Sequence, residues 1–291
     1  MSGDEDGTSL PADLADQIGV WGEWKEAYPI AVADIQRWAV NVYWPEEPPK
    51  LFWDAGYAAS TRWGGIIAPQ EFNPFAWTMD AQFPKRGADS GVGPVLRREG
   101  FTLLNGGQSD EFGEIMRPGD VIRSEDHAVR SDPLHYERRT LAQSTRRDSA
   151  PSAFYNRRIS HGRRFMTAIA IGDEIPPYVH HTGPIEWARY AAINGIFNDI
   201  HHDDEAGRRA GNATGAFGQG NLIWSYLFNM IRGWAGDDAI VREAGCQFRG
   251  INTKGDIVTC RGTVAAVSGL GSRHTVTLDV SARNQHDVVL A

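Results

Sequence analysis

Residues 190–208 read Tyr-Ala-Ala-Ile-Asn-Gly-Ile-Phe-Asn-Asp-Ile-His-His-Asp-Asp-Glu-Ala-Gly-Arg, and residues 215–223 read Gly-Ala-Phe-Gly-Gln-Gly-Asn-Leu-Ile. This stretch combines two histidines, several carboxylates and a glycine-rich turn, which ordinary core packing does not require. Residues 217–234 are apolar nearly all round, which is typical of a buried helix. The sequence therefore predicts a functional site immediately before the central helix of the fold.

The segments on either side of this stretch predict one further helix and a set of strands. Thr182 is the predicted N-cap of a helix with Pro184 in its first turn, and Gly195 ends that helix. Downstream, alternating segments bounded by turn residues predict three strands, at residues 242–249, 255–267 and 273–282.

The motif resembles the signature of the MaoC-like (R)-specific enoyl-CoA hydratases and 3-hydroxyacyl-CoA dehydratases. That signature runs small-Gly-Asp-aromatic-Asn-Pro-apolar-His-x-Asp, followed by His-Gly at the start of a long apolar helix. Residues 194–203 match it at the Gly, aromatic, Asn, apolar, His and final Asp positions, and Gln219-Gly220 stands where His-Gly is expected. Two positions differ: Ile196 replaces the catalytic Asp and Asp199 replaces the Pro. The second difference resembles relatives that act on bulky acyl chains such as steroid side chains.

The resemblance implies reversible hydration of a trans-2-enoyl-CoA to an (R)-3-hydroxyacyl-CoA. His201 is the expected base, because a neutral imidazole has a suitable pKa. Asn198 is expected to hold the water, and the Gly220 N–H at a helix N-terminus to bind the thioester oxygen. The expected substrate-binding residues are Phe197, Gln219, Asn221 and Asp203.

The missing carboxylate leaves three accounts open. Asp199 or Asp203 has taken over its role, His201 works alone at a reduced rate, or the chain is a catalytically degenerate acyl-CoA-binding subunit of a heteromeric hydratase. Asp203 has a further interpretation as a residue that orients His201 or caps the following helix. A thioesterase that uses the same fold is a third function class.

The first part of the chain resembles the second with its chemistry removed. Asp34 is the predicted N-cap of a helix that runs to Val42, and the prolines of residues 44–50 predict a loop. Residues 54–72 then predict a short helix, a Gly pair and a long helix beginning at Pro69. The turn at residues 117–120 is repeated at residues 254–256, which favours two copies of one fold.

Together with these repeats, the resemblance to the MaoC-like family implies an α+β double hotdog, in which two long helices are each wrapped by an antiparallel β-sheet. A mobile segment at 1–11 precedes a non-catalytic half at 12–130, which shapes the substrate tunnel. An Arg-rich connection follows at 131–171, and the catalytic half occupies 172–291. The connection is either a solvated linker or a clamp for the CoA phosphates, and its Arg pairs are 138–139, 146–147, 157–158 and 163–164.

Composition limits the function further. A net charge of −8 argues against a general role in nucleic-acid binding. The sequence shows neither an apolar run of about 20 residues nor the pattern of a signal peptide, so we expect a cytoplasmic protein. Cys246 and Cys260 lack metal or disulfide spacing, and we expect reduced thiols, no metal site and no dissociable cofactor. The expected partners are an acyl-CoA substrate and a second copy or another MaoC-like chain; the pair His180-His181 is interpreted as a solvated loop.

Overall fold

The computed structural model describes residues 20–83, 106–129, 135–143, 169–270 and 273–291. Within these ranges the helices are α1 (Val32–Tyr43), α2 (Ala55–Ser60), α3 (Met79–Gln82), α4 (Pro184–Asn194), α5 (Asp204–Arg209) and α6 (Gly220–Ala235). Short 3₁₀ turns lie at Lys50–Phe52 and Asp199–His201. The strands are β1 (Lys25–Glu26), β2 (Gly107–Glu111), β3 (Val121–Val129), β4 (His135–Gln143), β5 (Glu174–His181), β6 (Glu243–Gln247), β7 (Ile257–Leu270) and β8 (Arg273–Arg283).

The described strands form three antiparallel sheets. The orders are β1-β3-β4 in the first part of the chain and β5-β7-β8 in the second. Between them, β2 pairs with β6 so that Ser109 lies opposite Gly245. Because β2 precedes β3 and β6 precedes β7, this small sheet joins corresponding points of the two parts.

Helix α6 is the centre of the fold, as the sequence predicts. Every residue from Leu222 to Met230 is buried, and the helix packs against β5, β7 and β8. Gly262 on β7 leaves room for Met230 and Ile175, because a Cβ there would overlap the Ile175 side chain at 2.8 Å. The predicted strands of the C-terminal part are confirmed as β6, β7 and β8.

The two predicted Gly-Asp turns have the same geometry. Gly119 and Gly255 have positive φ values of 92° and 81°, which glycine adopts readily. In each turn the carboxylate accepts a 2.8 Å hydrogen bond from the N–H three residues earlier, Asp120 from Arg117 and Asp256 from Thr253.

Each turn also forms two backbone hydrogen bonds with the residue two places before a helix. Gly119 N donates to Ile30 O (2.8 Å) and Ile30 N to Asp120 O (3.0 Å), just before α1. Gly255 N donates to Thr182 O (3.2 Å) and Thr182 N to Asp256 O (2.9 Å), just before α4. The same order of strand, helix, turn and hairpin therefore occurs twice in the chain.

The predicted long helix at Pro69 is wrong. Residues 69–78 form turns and irregular structure, and the single turn of α3 follows them before the described range ends at residue 83. Pro74 has no N–H to continue a helix, and the Asn73 side chain accepts the N–H of Phe75 at 3.0 Å, which favours a turn. Within the described residues α6 is the long helix that packs against a sheet, and the double-hotdog arrangement stays a prediction.

Two predicted helix caps are also corrected. Helix α1 begins after Ala31, and Asp34 lies in the first turn, where its carboxylate accepts the Ala31 N–H at 3.3 Å. Helix α4 is capped by Gly183. The Thr182 hydroxyl accepts the indole N–H of Trp187 at 3.1 Å instead.

Part of the Arg-rich connection is a strand. Residues 138–139 lie in β4, which pairs with β3 along its whole length. The other three Arg pairs and the predicted mobile segment at 1–11 lie outside the described residues. In the part of the chain that the structure describes, none of the helices has the length and apolar character needed to cross a membrane.

Candidate active site

The polar stretch begins where Gly195 ends α4, as predicted. Its φ of 65° is left-handed, and its N–H donates to Ala191 O. A Cβ at this position would overlap the Ala76 carbonyl oxygen and the Gln82 amide. The loop that carries the motif is therefore held directly against residues 76–82 of the N-terminal part.

Gly195→Ala is expected to destabilise the fold by about 1–3 kcal/mol, because it adds a strained left-handed residue and a steric overlap. Urea unfolding measures this loss. Gly233→Ala is the matched control, since that glycine lies within α6 and a Cβ there meets nothing within 4 Å. Equal stability of the two variants would contradict the close contact at Gly195.

Two side chains of the motif cap short helices. The Asn198 side chain accepts the N–H of Ile200 at 3.3 Å at the start of the 3₁₀ turn. The Asp203 carboxylate accepts the N–H of Ala206 at 2.7 Å at the start of α5. The capping interpretation of Asp203 is confirmed, and these bonds fix the course of the chain on both sides of His201.

His201 is oriented by one backbone hydrogen bond. Its Nδ1 lies 2.7 Å from Phe217 O, and the chain is tied again by Phe217 N to Ile200 O at 3.2 Å. Because a carbonyl only accepts, Nδ1 carries the proton and a neutral ring keeps its lone pair on Nε2. Burial lowers the pKa of His201, the bond to Phe217 opposes this, and the neighbouring His202 adds to the lowering. Burial therefore favours the neutral form of the ring.

Phe217 lies three residues before the first residue of α6, Gly220. The first N–H groups of a helix have no intrahelical acceptor and carry partial positive charge. A Cβ at Gly220 would lie 3.0 Å from the Phe248 ring, so the glycine allows this aromatic side chain to pack closely beside the helix start. The imidazole and a helix N-terminus are thus joined through one short segment of backbone.

A cavity of about 420 Å³ lies beside His201. The described residues that border it come from the motif, the start of α4 and the turn before β7: Pro184, Trp187, His201, His202, Asp203, Asp204, Ala216 and Lys254. His201 and Asp203 are the predicted site residues among them.

The other predicted site residues, Gly220 among them, do not border the cavity. Asn198 and Asp199 have exposed side chains. Phe197 is 56% exposed and packs edge-on against Trp77. Gln219 is only 4% exposed and donates its amide to Trp187 O at 3.1 Å. Asn221 is partly buried in the first turn of α6, where its carbonyl accepts the Ser225 hydroxyl.

An ion pair at the cavity was not predicted from the sequence. The Asp204 carboxylate accepts the Ala216 N–H at 3.0 Å and pairs with the ammonium of Lys254. The hydrogen bond from Lys254 is the main reason that the pKa of Asp204 is lowered. The two residues are 50 positions apart, so only the fold brings them together.

The interpretation of His180 as part of a solvated loop is wrong. His180 lies on β5, is 2% exposed and packs against the Tyr226 ring at 4.5 Å. Its Nδ1 lies 3.2 Å from the Tyr178 hydroxyl and 3.6 Å from the carboxylate of Glu46. Burial lowers the pKa of His180, which therefore favours the neutral ring in the core.

Within the described ranges, no group of three or more His, Cys, Asp and Glu side chains is close enough together to hold a metal ion. Cys246 and Cys260 are free thiols. Burial raises the pKa of Cys246 to about 11 and that of Cys260 to about 12, so both are poor nucleophiles at pH 7.

Comparison with known proteins places this geometry in a recognised fold. Residues 16–131 match a family model described as the FAS1-like dehydratase domain region. A solved structure named MaoC-like dehydratase is similar over 96% of this chain and 97% of that one, with a TM-score of 0.67 and 17% identity. A putative MaoC domain protein dehydratase from Chloroflexus aurantiacus J-10-fl covers 91% of this chain and 86% of its own, with a TM-score of 0.58 and 12% identity.

A third similar structure is the MaoC-like dehydratase from Phytophthora capsici, which covers 94% of both chains with a TM-score of 0.55 and 14% identity. No curated protein matches the chain. At these identities the likeness establishes the fold, which is the mixed α and antiparallel β fold of the MaoC-like dehydratases.

Proposed function

We propose that this chain catalyses the reversible hydration of a trans-2-enoyl-CoA to an (R)-3-hydroxyacyl-CoA. The observation that carries the proposal is the orientation of His201. Its Nδ1 is committed to Phe217 O, which leaves Nε2 as a base beside a cavity and near the start of α6. The matching dehydratase domain region and the shared fold support the same reaction class.

The reaction closes with His201 as both base and acid. Nε2 takes a proton from water as the water oxygen bonds to C3, and the C2–C3 π electrons move to the thioester oxygen. The Gly220 N–H, at the positive end of α6, stabilises that developing charge. The imidazolium then returns its proton to C2, which yields the 3-hydroxyacyl thioester and the neutral ring. The thioester carbonyl serves as the electron sink, so this sequence of steps requires no dissociable cofactor.

Three further residues have supporting roles in this proposal. The Asn198 oxygen accepts the Ile200 N–H and fixes the 3₁₀ turn that carries His201, so Asn198 positions the base from outside the cavity. Phe197 and Trp77 place two exposed rings 6.0 Å apart beside the motif, and Phe197 lies 6.3 Å from His202. Apolar surface of this size next to a catalytic group favours a bulky acyl group as substrate.

We further propose that the two parts of the chain are two halves of a double hotdog. The repeated turn geometry and the pairing of β2 with β6 support this arrangement. In it the half at 12–130 forms a wall of the substrate tunnel, 131–171 connects the halves, and the half at 172–291 carries the chemistry. Assembly into a homodimer or with another MaoC-like chain stays a prediction.

The alternative function is an acyl-CoA-binding subunit that lacks activity. Ile196 favours it, since this side chain packs against the hydrophobic core and cannot transfer a proton. The oriented His201 favours the enzyme.

Assaying the purified chain with crotonyl-CoA and with a bulky trans-2-enoyl-CoA separates these functions. We expect loss of the conjugated thioester with formation of the (R)-3-hydroxyacyl-CoA, faster for the bulky substrate. Release of free CoA would identify a thioesterase, and binding without turnover would identify the subunit.

The pH dependence of hydration follows from the lowered pKa of His201. A base acts only when unprotonated, so kcat/KM should fall as the pH drops through the pKa of this ring in the free enzyme. Because burial lowers that pKa, the acidic limb should lie below the ordinary histidine value of about 6.5. A limb above that value in the pH–rate profile would contradict the assignment of the buried His201 as the base.

A further inference from the structure

We propose that Asp204 supplies the catalytic carboxylate that Ile196 cannot, by accepting a hydrogen bond from the attacking water while His201 takes the proton. This inference rests on the proposed hydration reaction and names a second polar group at its site. The motif resemblance points to position 196, and sequence reasoning considered only Asp199 and Asp203 as substitutes.

The first observation is that Asp204 and His201 border the same cavity. They are also anchored to consecutive residues: Asp204 accepts the N–H of Ala216, and His201 donates to the carbonyl of Phe217. A single backbone segment before α6 therefore fixes both side chains. An imidazole and a carboxylate held on one small cavity are the pair of groups that adding water to a double bond requires.

The second observation is the pairing of Asp204 with Lys254. The ammonium holds the carboxylate at the cavity edge and, together with the Ala216 N–H, keeps its charge stable. The charged and titratable groups that border this cavity are His201, His202, Asp203, Asp204 and Lys254. Asp204 stays ionised throughout the reaction: it holds the water, and the proton itself passes only between water, His201 and C2.

The other candidate carboxylates fit this role less well. The Asp199 side chain is exposed and does not border the cavity. Asp203 borders the cavity, but its carboxylate is engaged in capping α5. Glu205 is exposed and pairs with Arg209 on the outer side of α5.

Asp204→Asn tests the proposal, because the amide oxygen can still accept the Ala216 N–H while the charge is lost. We expect kcat to fall by about 10²-fold or more with little change in KM. Glu205→Gln is the matched control, with the same charge change on the neighbouring exposed residue and wild-type kinetics expected.

Lys254→Met is the second variant. It keeps the hydrogen bond from Ala216 N–H to Asp204, so it tests the proposal even if Asp204→Asn does not fold. We expect a loss in kcat of roughly 2- to 5-fold, since an ion pair this exposed contributes modestly. The test applies when the parent chain is active and His201→Ala is inactive. Wild-type kcat in both Asp204→Asn and Lys254→Met then overturns the proposal. If Asp204→Asn does not fold, wild-type kcat in Lys254→Met alone overturns it. A parent chain that hydrates no enoyl thioester overturns the proposed function and this inference together.

Discussion

His201→Ala is expected to lower kcat for hydration by about 10²–10⁴-fold, the usual effect of removing a general acid–base group. The loss should appear in kcat with little change in KM, because the imidazole acts on the water and on C2 and does not hold the CoA portion. The variant should fold, since the substitution removes one hydrogen bond, that from His201 Nδ1 to Phe217 O. Steady-state kinetics with a trans-2-enoyl-CoA measure the effect.

His286→Ala is the control for this prediction. That histidine is exposed after β8 and does not border the cavity, so its kinetics should match those of the parent chain. His201→Gln adds a second comparison, because an amide can bond to Phe217 O but cannot take a proton at neutral pH. Full activity in either His201 variant would remove the imidazole from the mechanism.

Glu71→Ala is expected to destabilise the chain by about 3–5 kcal/mol, because it leaves a buried guanidinium without its partner. Arg232 on α6 donates to Glu71 at 2.8 Å, and the two side chains are 14% and 4% exposed. Burial disfavours the charge, but Glu71 and the hydroxyl of Tyr43 more than offset it, and the pKa of Arg232 is raised. This pair ties the central helix to the N-terminal part of the chain.

Urea unfolding of the double variant Glu71→Leu/Arg232→Met completes this test. Replacing both partners removes the unpaired charge, so most of the lost stability should return. Arg209→Ala is the surface control: its pair with Glu205 is 71% and 80% exposed, so the change should be below about 1 kcal/mol. A small loss for Glu71→Ala, equal to that of the control, would show that the guanidinium is solvated in solution.

Local patterns predicted the centre of this fold well. The apolar run before Trp234 identified α6, and the turn glycines at 119, 195 and 255 all have positive φ values. These features depend on neighbouring residues and on backbone conformation, which a sequence displays directly. The alternating segments that became β7 and β8 were predictable for the same reason.

The N-terminal part was harder to predict, because tertiary contacts determine it. An assumed analogy with α6 suggested a long helix at Pro69, yet Pro74 and the Asn73 side chain impose turns there. His180 was predicted to lie in a solvated loop because two adjacent histidines form a polar pair. In the structure only His181 is exposed. Only the structure shows that His180 faces the core on β5.

The candidate site was predicted in outline and not in detail. The motif identified His201 and the start of α6. The hydrogen bond to Phe217 that orients the ring depends on the path of residues 210–217, which brings Phe217 next to His201. The ion pair between Asp204 and Lys254 joins α5 to the turn before β7. Such contacts between distant residues have no signal in a single sequence.

The most direct measurement follows the oxygen of water. The purified chain is incubated with a trans-2-enoyl-CoA in water that carries a heavy oxygen isotope, and the products are analysed by mass spectrometry. If His201 activates the water that adds to C3, the label should appear in the C3 hydroxyl of an intact (R)-3-hydroxyacyl-CoA. The His201→Ala variant should form little or none of this labelled product. Label in a free carboxylate, or an unlabelled and unchanged thioester, would contradict the proposed hydration.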